Sequence, residues 1–285
     1  MIVVVCNFGV YLWRQGEETI SMKRTAVILL ALISMLTICG CGLWGKEDAW
    51  EHMELTQEEK DLLCKLYIDE EKINQGELFS YQVRTVEQYR YAKEVLARKY
   101  PSYEFKITYC EPQTIADKYM MLYFGEVENG EVGETVYTMY VYEGKKEYYA
   151  KDDFFDRIFS PIYETFLYDN LQNIGGNIVE VKSCMPFVEG EEYDENVTIE
   201  DMISGKVTIS SDTSIYLLEE SISEKEWEEI FSNIKEKVVQ ELGLEGTYEV
   251  MVINNDESLE KIEENIFEEL EYSYKGTFHT WEEKK

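Results

Sequence analysis

The chain has 285 residues, of which 45% are hydrophobic, so it can bury a real core and is not globally disordered. A formal net charge of −31 disfavours nucleic acid as a partner, because phosphate backbones are held by Lys and Arg. The same charge disfavours a basic patch as a means of holding the protein on anionic lipid. The length allows one large domain or two smaller ones, and four prolines leave little room for a long linker.

Residues 1–21 carry an apolar stretch, Ile2 to Trp13, ahead of a basic start at Met22-Lys23-Arg24. They read either as sequence upstream of a true start at Met22 or as an N-terminal extension. An apolar run from Ala26 to Ile38 follows, then Cys39-Gly40-Cys41. A basic start, a short apolar run and small residues before a cut describe a secretory signal over 22–40. The run is shorter than the about 20 residues a spanning helix needs. Ile38-Cys39-Gly40-Cys41 resembles the lipobox of bacterial lipoproteins. The resemblance implies cleavage between Gly40 and Cys41, a lipid on the Cys41 sulfur, and attachment at the extracytoplasmic face of the cell membrane. Residues 41–54 are then a tether, with Trp44 and Trp50 suited to a membrane interface.

Thr56 to Glu70 reads as a helix, with Thr56 as N-cap, acidic Glu58 and Glu59 in the first turn, and Leu62, Leu63, Leu66 and Tyr67 on one face. Thr85-x-x-Gln88 has the form of a capping box opening a second helix. Val86, Tyr89, Ala92 and Leu96 recur along it and Pro101 stops it. The period then changes to two: Tyr103, Phe105, Ile107 and Tyr109 alternate with polar residues in a half-buried strand. Tyr119 to Val127 and Thr135 to Tyr142 form two more strands, paired as a hairpin across Asn129-Gly130. A short strand is expected over Glu147 to Ala150. Asp153 to Asn170 reads as helix, with Ser160-Pro161 as a kink or a second start.

Asn173 to Asn177 is the boundary candidate, giving lobes over 55–175 and 176–285. The second lobe opens with a strand from Ile178 to Ser183 and an irregular acidic stretch from Glu189 to Asn196. Lys206 to Glu219 holds one bent strand or two. Ser223-x-x-Glu226 is a capping box, Ile222 can staple onto Trp227, and Gly243 ends that helix. Tyr248 to Ile253 is a strand, Leu259 to Leu270 carries a helical stripe, and Tyr272 to Phe278 is a last strand. These elements predict an α+β fold with helices packed on antiparallel sheet, in one domain or two lobes.

Familiar catalytic machinery is scarce. His52 and His279 are the only histidines, and neither sits in a pattern suited to a triad or a zinc site. No phosphate-cradling or serine-nucleophile motif is present. Asp194-x-Asn196-x-Thr198 and Asn254-x-Asp256-x-Ser258 lack the glycine of a calcium loop. No metal, cofactor or catalytic residue is therefore assigned. Cys64, Cys110 and Cys184 are odd in number and read as free buried thiols. Asp152-Asp153 opens a helix and suits its positive end. One feature points to binding: Tyr137 on one face of its strand, and Tyr140 and Tyr142 on the other, are the candidate binding residues. The leading expectation is a non-enzymatic envelope binding protein with a protein or peptide partner of basic character. The alternative is a carboxylate-dependent hydrolase acting on envelope polymer.

Overall fold

A computed structural model describes residues 50–190, 192–219, 222–253, 261–262 and 272–280. Cys41, the lipobox, Trp44, the second calcium-like pattern and most of the stripe from Leu259 to Leu270 lie outside the described residues. The fold is α+β. The chain forms two compact units that part between Val83 and Arg84.

In the first unit, strand β1 (Glu51–His52) pairs antiparallel with β2 (Glu77–Leu78) around helices α1 (Gln57–Leu66) and α2 (Glu70–Gln75). Thr56 caps α1 through a complete capping box with Glu59. The expected single helix to Glu70 is two helices instead. The Tyr67 backbone turns to an extended conformation and Asp69 starts α2. The Trp50 ring lies 3.8 Å from that of Phe79.

Helix α3 (Ser80–Lys99) crosses the point where the units part. Thr85 lies inside it rather than at its cap, and is buried. The helix begins five residues earlier, where the Gln82 side chain accepts a hydrogen bond from the Phe79 amide at 2.8 Å.

The second unit contains two sheets. The first has the order β3-β4-β6-β7-β9: β3 (Phe105–Glu111), β4 (Tyr119–Glu128), β6 (Tyr137–Glu143), β7 (Tyr148–Asp152) and β9 (Val188–Glu189). The small strand β5 (Glu131–Val132) folds back on β4 across Asn129 and Gly130, whose φ angles of 53° and 85° suit a two-residue hairpin turn. The expected hairpin of β4 with β6 forms outside it. Met120, Leu122, Phe124, Met139, Val141 and Ala150 make the buried inner face. The α3 segment from Arg84 onward lies over this face: Gln88 Nε2 donates to the Val141 carbonyl at 3.1 Å, and Tyr148 donates its hydroxyl to Glu87 at 2.8 Å.

Helix α4 (Phe154–Leu171) runs unbroken through Pro161 and joins the two sheets. Phe154 enters the aromatic cluster of the first sheet, 4.7 Å from Phe105 and 4.8 Å from Tyr137. The next residue, Phe155, turns with Phe159, Tyr163 and Leu167 into the core of the second. That sheet has the order β12-β11-β10-β8: β8 (Ile178–Cys184), β10 (Ser210–Leu218), β11 (Glu245–Ile253) and β12 (Tyr272–His279). The expected boundary at Gly175-Gly176 falls between α4 and β8. Helix α5 (Ile199–Ile203) precedes β10, and α6 (Glu224–Glu236) with a short π-helical extension precedes β11. Antiparallel pairing holds except between β10 and β11, which run parallel, with α6 in the crossover. A two-residue turn cannot join parallel strands, so the intervening helix is what permits this pairing. Gly246, at φ 147°, lies where an added Cβ would meet the Ser211 backbone of the neighbouring strand.

Candidate functional site

The outer face of the first sheet is aromatic. In β6, burial alternates: Tyr137, Met139 and Val141 are buried, whereas Tyr140 and Tyr142 are half-exposed on the other side. Strand register sets Tyr142 between Tyr119 and Tyr149, and Tyr140 between Met121 and Lys151. The rings meet as the register requires. Tyr142 stacks on Tyr149 with centroids 4.8 Å apart, and Tyr119 meets Tyr140 edge-on at 5.0 Å. Phe187, which is 39% exposed, lies 5.0 Å from Tyr140 and extends the patch. Burial raises the phenol pKa of both Tyr140 and Tyr142, with neighbouring tyrosines adding to it. Both hydroxyls therefore stay protonated at neutral pH, able to donate and to accept.

Tyr109 joins this face, although sequence alternation set it beside Phe105 and Ile107. The pairing of β3 with β4 shifts register between Ile107 and Tyr109. The bulge turns Tyr109 outward, 53% exposed and 5.9 Å from Tyr123, and turns Cys110 into the core. Nothing in the local sequence marks that extra residue. Tyr137 of the candidate set points the other way. It is 8% exposed, packs on Phe154, and its pKa is raised by burial against the lowering effect of Arg157. The face thus brings together Tyr140 and Tyr142 and leaves Tyr137 in the core.

Charged side chains of both signs border the face. Lys151 pairs with Glu189 at 3.2 Å. Lys106 and Glu111 lie exposed on β3.

A second concavity of about 630 Å³ borders α4 and the far side of the second sheet. Asp156, Glu164, Asp212 and Glu249 line it together with Lys182 and Lys275. Its carboxylates are largely engaged in structure. Glu164 accepts the Ser183 amide at 2.7 Å, and burial raises its pKa. Asp156 accepts from the Ser160 hydroxyl and from the Met185 amide, both at 2.6 Å. Glu249 pairs with Lys275 at 2.8 Å. Cys184 borders this groove and is exposed, which corrects the reading of it as a buried thiol. It is the last residue of β8, and the buried position falls to the next residue, Met185. Cys64 is only half-buried, Cys110 is buried as expected, and all three are free.

Among the described residues no group of three or more His, Cys, Asp or Glu side chains is arranged to hold a metal ion. Asp194 instead accepts the Asn196 amide at 2.8 Å, and Thr198 caps α5. His52 is exposed in β1, and His279 Nδ1 lies 3.1 Å from the Thr247 hydroxyl. No described helix is long and apolar enough to cross a membrane.

Asp152 and Asp153 separate in role. Asp153 Oδ1 accepts the Thr138 amide at 2.8 Å, and burial pushes its pKa up to about 6 against that hydrogen bond. Asp152 enters the core of the first sheet, where its cross-strand neighbours Met139 and Val188 are buried. There Oδ2 accepts from Lys99 Nζ at 2.5 Å and Oδ1 accepts the Tyr100 hydroxyl at 2.6 Å. Sequence reasoning missed this cluster. The available signal was Asp152 at the inward position of the alternation Tyr148, Ala150, Asp152.

No family model matches the chain, and no curated protein does. Among solved structures it is weakly similar to a DUF5037 family protein from Ruminococcus gnavus. That match has 14% identity and a TM-score of 0.32, covering 66% of this chain and 81% of the other. A fatty acid AMP ligase from Legionella pneumophila is also weakly similar, with 10% identity and a TM-score of 0.27 over 62% of this chain and 34% of the ligase.

Proposed function

We propose that this protein is a lipid-anchored, extracytoplasmic binding protein of the bacterial envelope, attached through Cys41, whose contact surface is the outer face of the tyrosine-bearing sheet. The observation that carries the reading is the run of rings from Tyr149 through Tyr142, Tyr119 and Tyr140 to Phe187. It lies on the sheet face opposite the one covered by α3. Tyr is well suited to such a surface, because a large amphipathic ring is ordered at low entropic cost. The groove beside α4 supports a carboxylate hydrolase less well, because Asp156 and Glu164 hold backbone amides in place.

The test is site-specific photocrosslinking on the cell surface, with the photoreactive residue replacing Thr138 on this face. A discrete adduct is expected. Tyr140→Ser together with Tyr142→Ser, a change without charge, should lower its yield at least tenfold while the fold is retained. An undiminished adduct from the folded double variant would remove the face as the contact surface.

A further inference from the structure

We propose that Lys99 and Asp152 are the two halves of an intramolecular isopeptide bond, a modification site in the core of the first sheet that forms after folding. The case starts with the position. Lys99 is 2% exposed and Asp152 0%, and the pair sits among Tyr100, Phe154, Met139 and Val188, all buried. A buried ion pair at an otherwise apolar position gives little net stability, because desolvation of both charges offsets their attraction. An amide there carries no charge.

The count of donors points the same way. An ammonium group has three N–H donors. Among the described residues Lys99 Nζ has one hydrogen-bond acceptor, Asp152 Oδ2, and otherwise faces the Tyr100 ring at 5.2 Å. Condensation would leave one N–H in place of three. The carboxyl is also set up for the reaction. Tyr100 donates to Oδ1 at 2.6 Å, and burial beside Asp152 holds its phenol protonated well above the ordinary range.

The chemistry closes without an outside reagent. Proton transfer within the pair gives a neutral amine and a carboxylic acid. The amine lone pair adds to Asp152 Cγ, and negative charge develops on Oδ1, where the Tyr100 hydroxyl already points. The Cγ–Oδ2 bond then breaks. Oδ2 leaves as water with its own proton and one from nitrogen, and Oδ1 remains as the amide carbonyl, still bonded to Tyr100. No oxidant or cofactor enters. Folding supplies the proximity that makes condensation effectively unimolecular. The bond would join the end of α3 to the end of β7, residues 53 apart in sequence. The proposal is independent of the tyrosine face.

The test is tryptic mapping of the full-length protein after denaturation. An acylated Lys99 cannot be cut by trypsin. The expected product is a branched species made of residues 99–106 and 152–157, lighter by one water than the two peptides together. Tandem mass spectrometry would place the link between Lys99 and Asp152. Asp152→Ala should restore cleavage after Lys99. Tyr100→Phe keeps the ring and loses the hydroxyl, so freshly made protein should show mostly unlinked peptides. Complete cleavage after Lys99 in the parent protein, with both peptides recovered unlinked, would overturn the proposal. Full linkage in fresh Tyr100→Phe protein would remove Tyr100 from the mechanism.

Discussion

Asp153 shows how one carboxylate answers to its surroundings. The adjacent Asp152 is held by Lys99 and Tyr100, whereas Asp153 has the Thr138 amide, a half-buried site and two acidic neighbours. Its folded-state pKa, about 6, lies above that of an unfolded chain. The native state therefore binds the proton more tightly, and stability from this group is present at low pH and lost as pH rises through about 6. Asp153→Asn keeps the size and removes the titration. We expect the variant to lose part of the fall in stability between the ordinary carboxylate range and about pH 6, measured as urea midpoints against the parent. Parallel profiles would show that Asp153 titrates as it does in the unfolded chain.

At the scale of elements, caps and bulges decide where chain segments begin and which way side chains point. The Thr56 box is complete: the Glu59 amide donates to Thr56 Oγ1 at 3.3 Å, and the Thr56 amide donates to Glu59 Oε2 at 2.8 Å. Thr56→Ala should therefore destabilise the first unit by about 1 kcal/mol. Hydrogen exchange in α1 reads this directly, and protection equal to the parent would show that packing alone holds the helix. The β3 bulge works differently. Its extra residue, Thr108, donates its hydroxyl to the Tyr123 carbonyl at 3.2 Å, and the rotation it imposes carries Tyr109 to the aromatic face and Cys110 to the core. Helix α4 shows a third case. Phe154 and Phe155, consecutive in sequence, serve different cores because their side chains leave the helix about 100° apart.

For the whole molecule, the net charge of −31 and the proposed lipid set the conditions of any encounter. A partner bearing Lys or Arg would be drawn in by the long-range field, and the proposed tyrosine face would then govern close contact. Salt should slow such association through screening. The proposed anchor would follow another rule: two acyl chains hold a protein stably on a bilayer and one does so only marginally. Cys41→Ser should abolish incorporation of labelled fatty acid and move the protein from the membrane fraction to the medium. Unchanged lipid labelling in that variant would place the attachment elsewhere.

Sequence alone determined what depends on neighbours a few residues apart. The N-cap at Thr56 and the box at Ser223 were legible because cap and partner lie within one helical turn, although the same pattern at Thr85 lies inside a helix. The alternation that sets Tyr140 and Tyr142 opposite Tyr137 was legible because a strand repeats every two residues. The α+β class followed from these periods. Tertiary structure decided what depends on distant segments competing for the same burial. Parallel pairing of β10 with β11 needs a crossover between them, which α6 supplies. Val188 and Glu189 return to the first sheet because the β7 edge offers unpaired backbone groups. Lys99 met Asp152 for the same reason. Their encounter needed α3 laid over the inner face of the sheet, and no local pattern carries information about a partner 53 residues away.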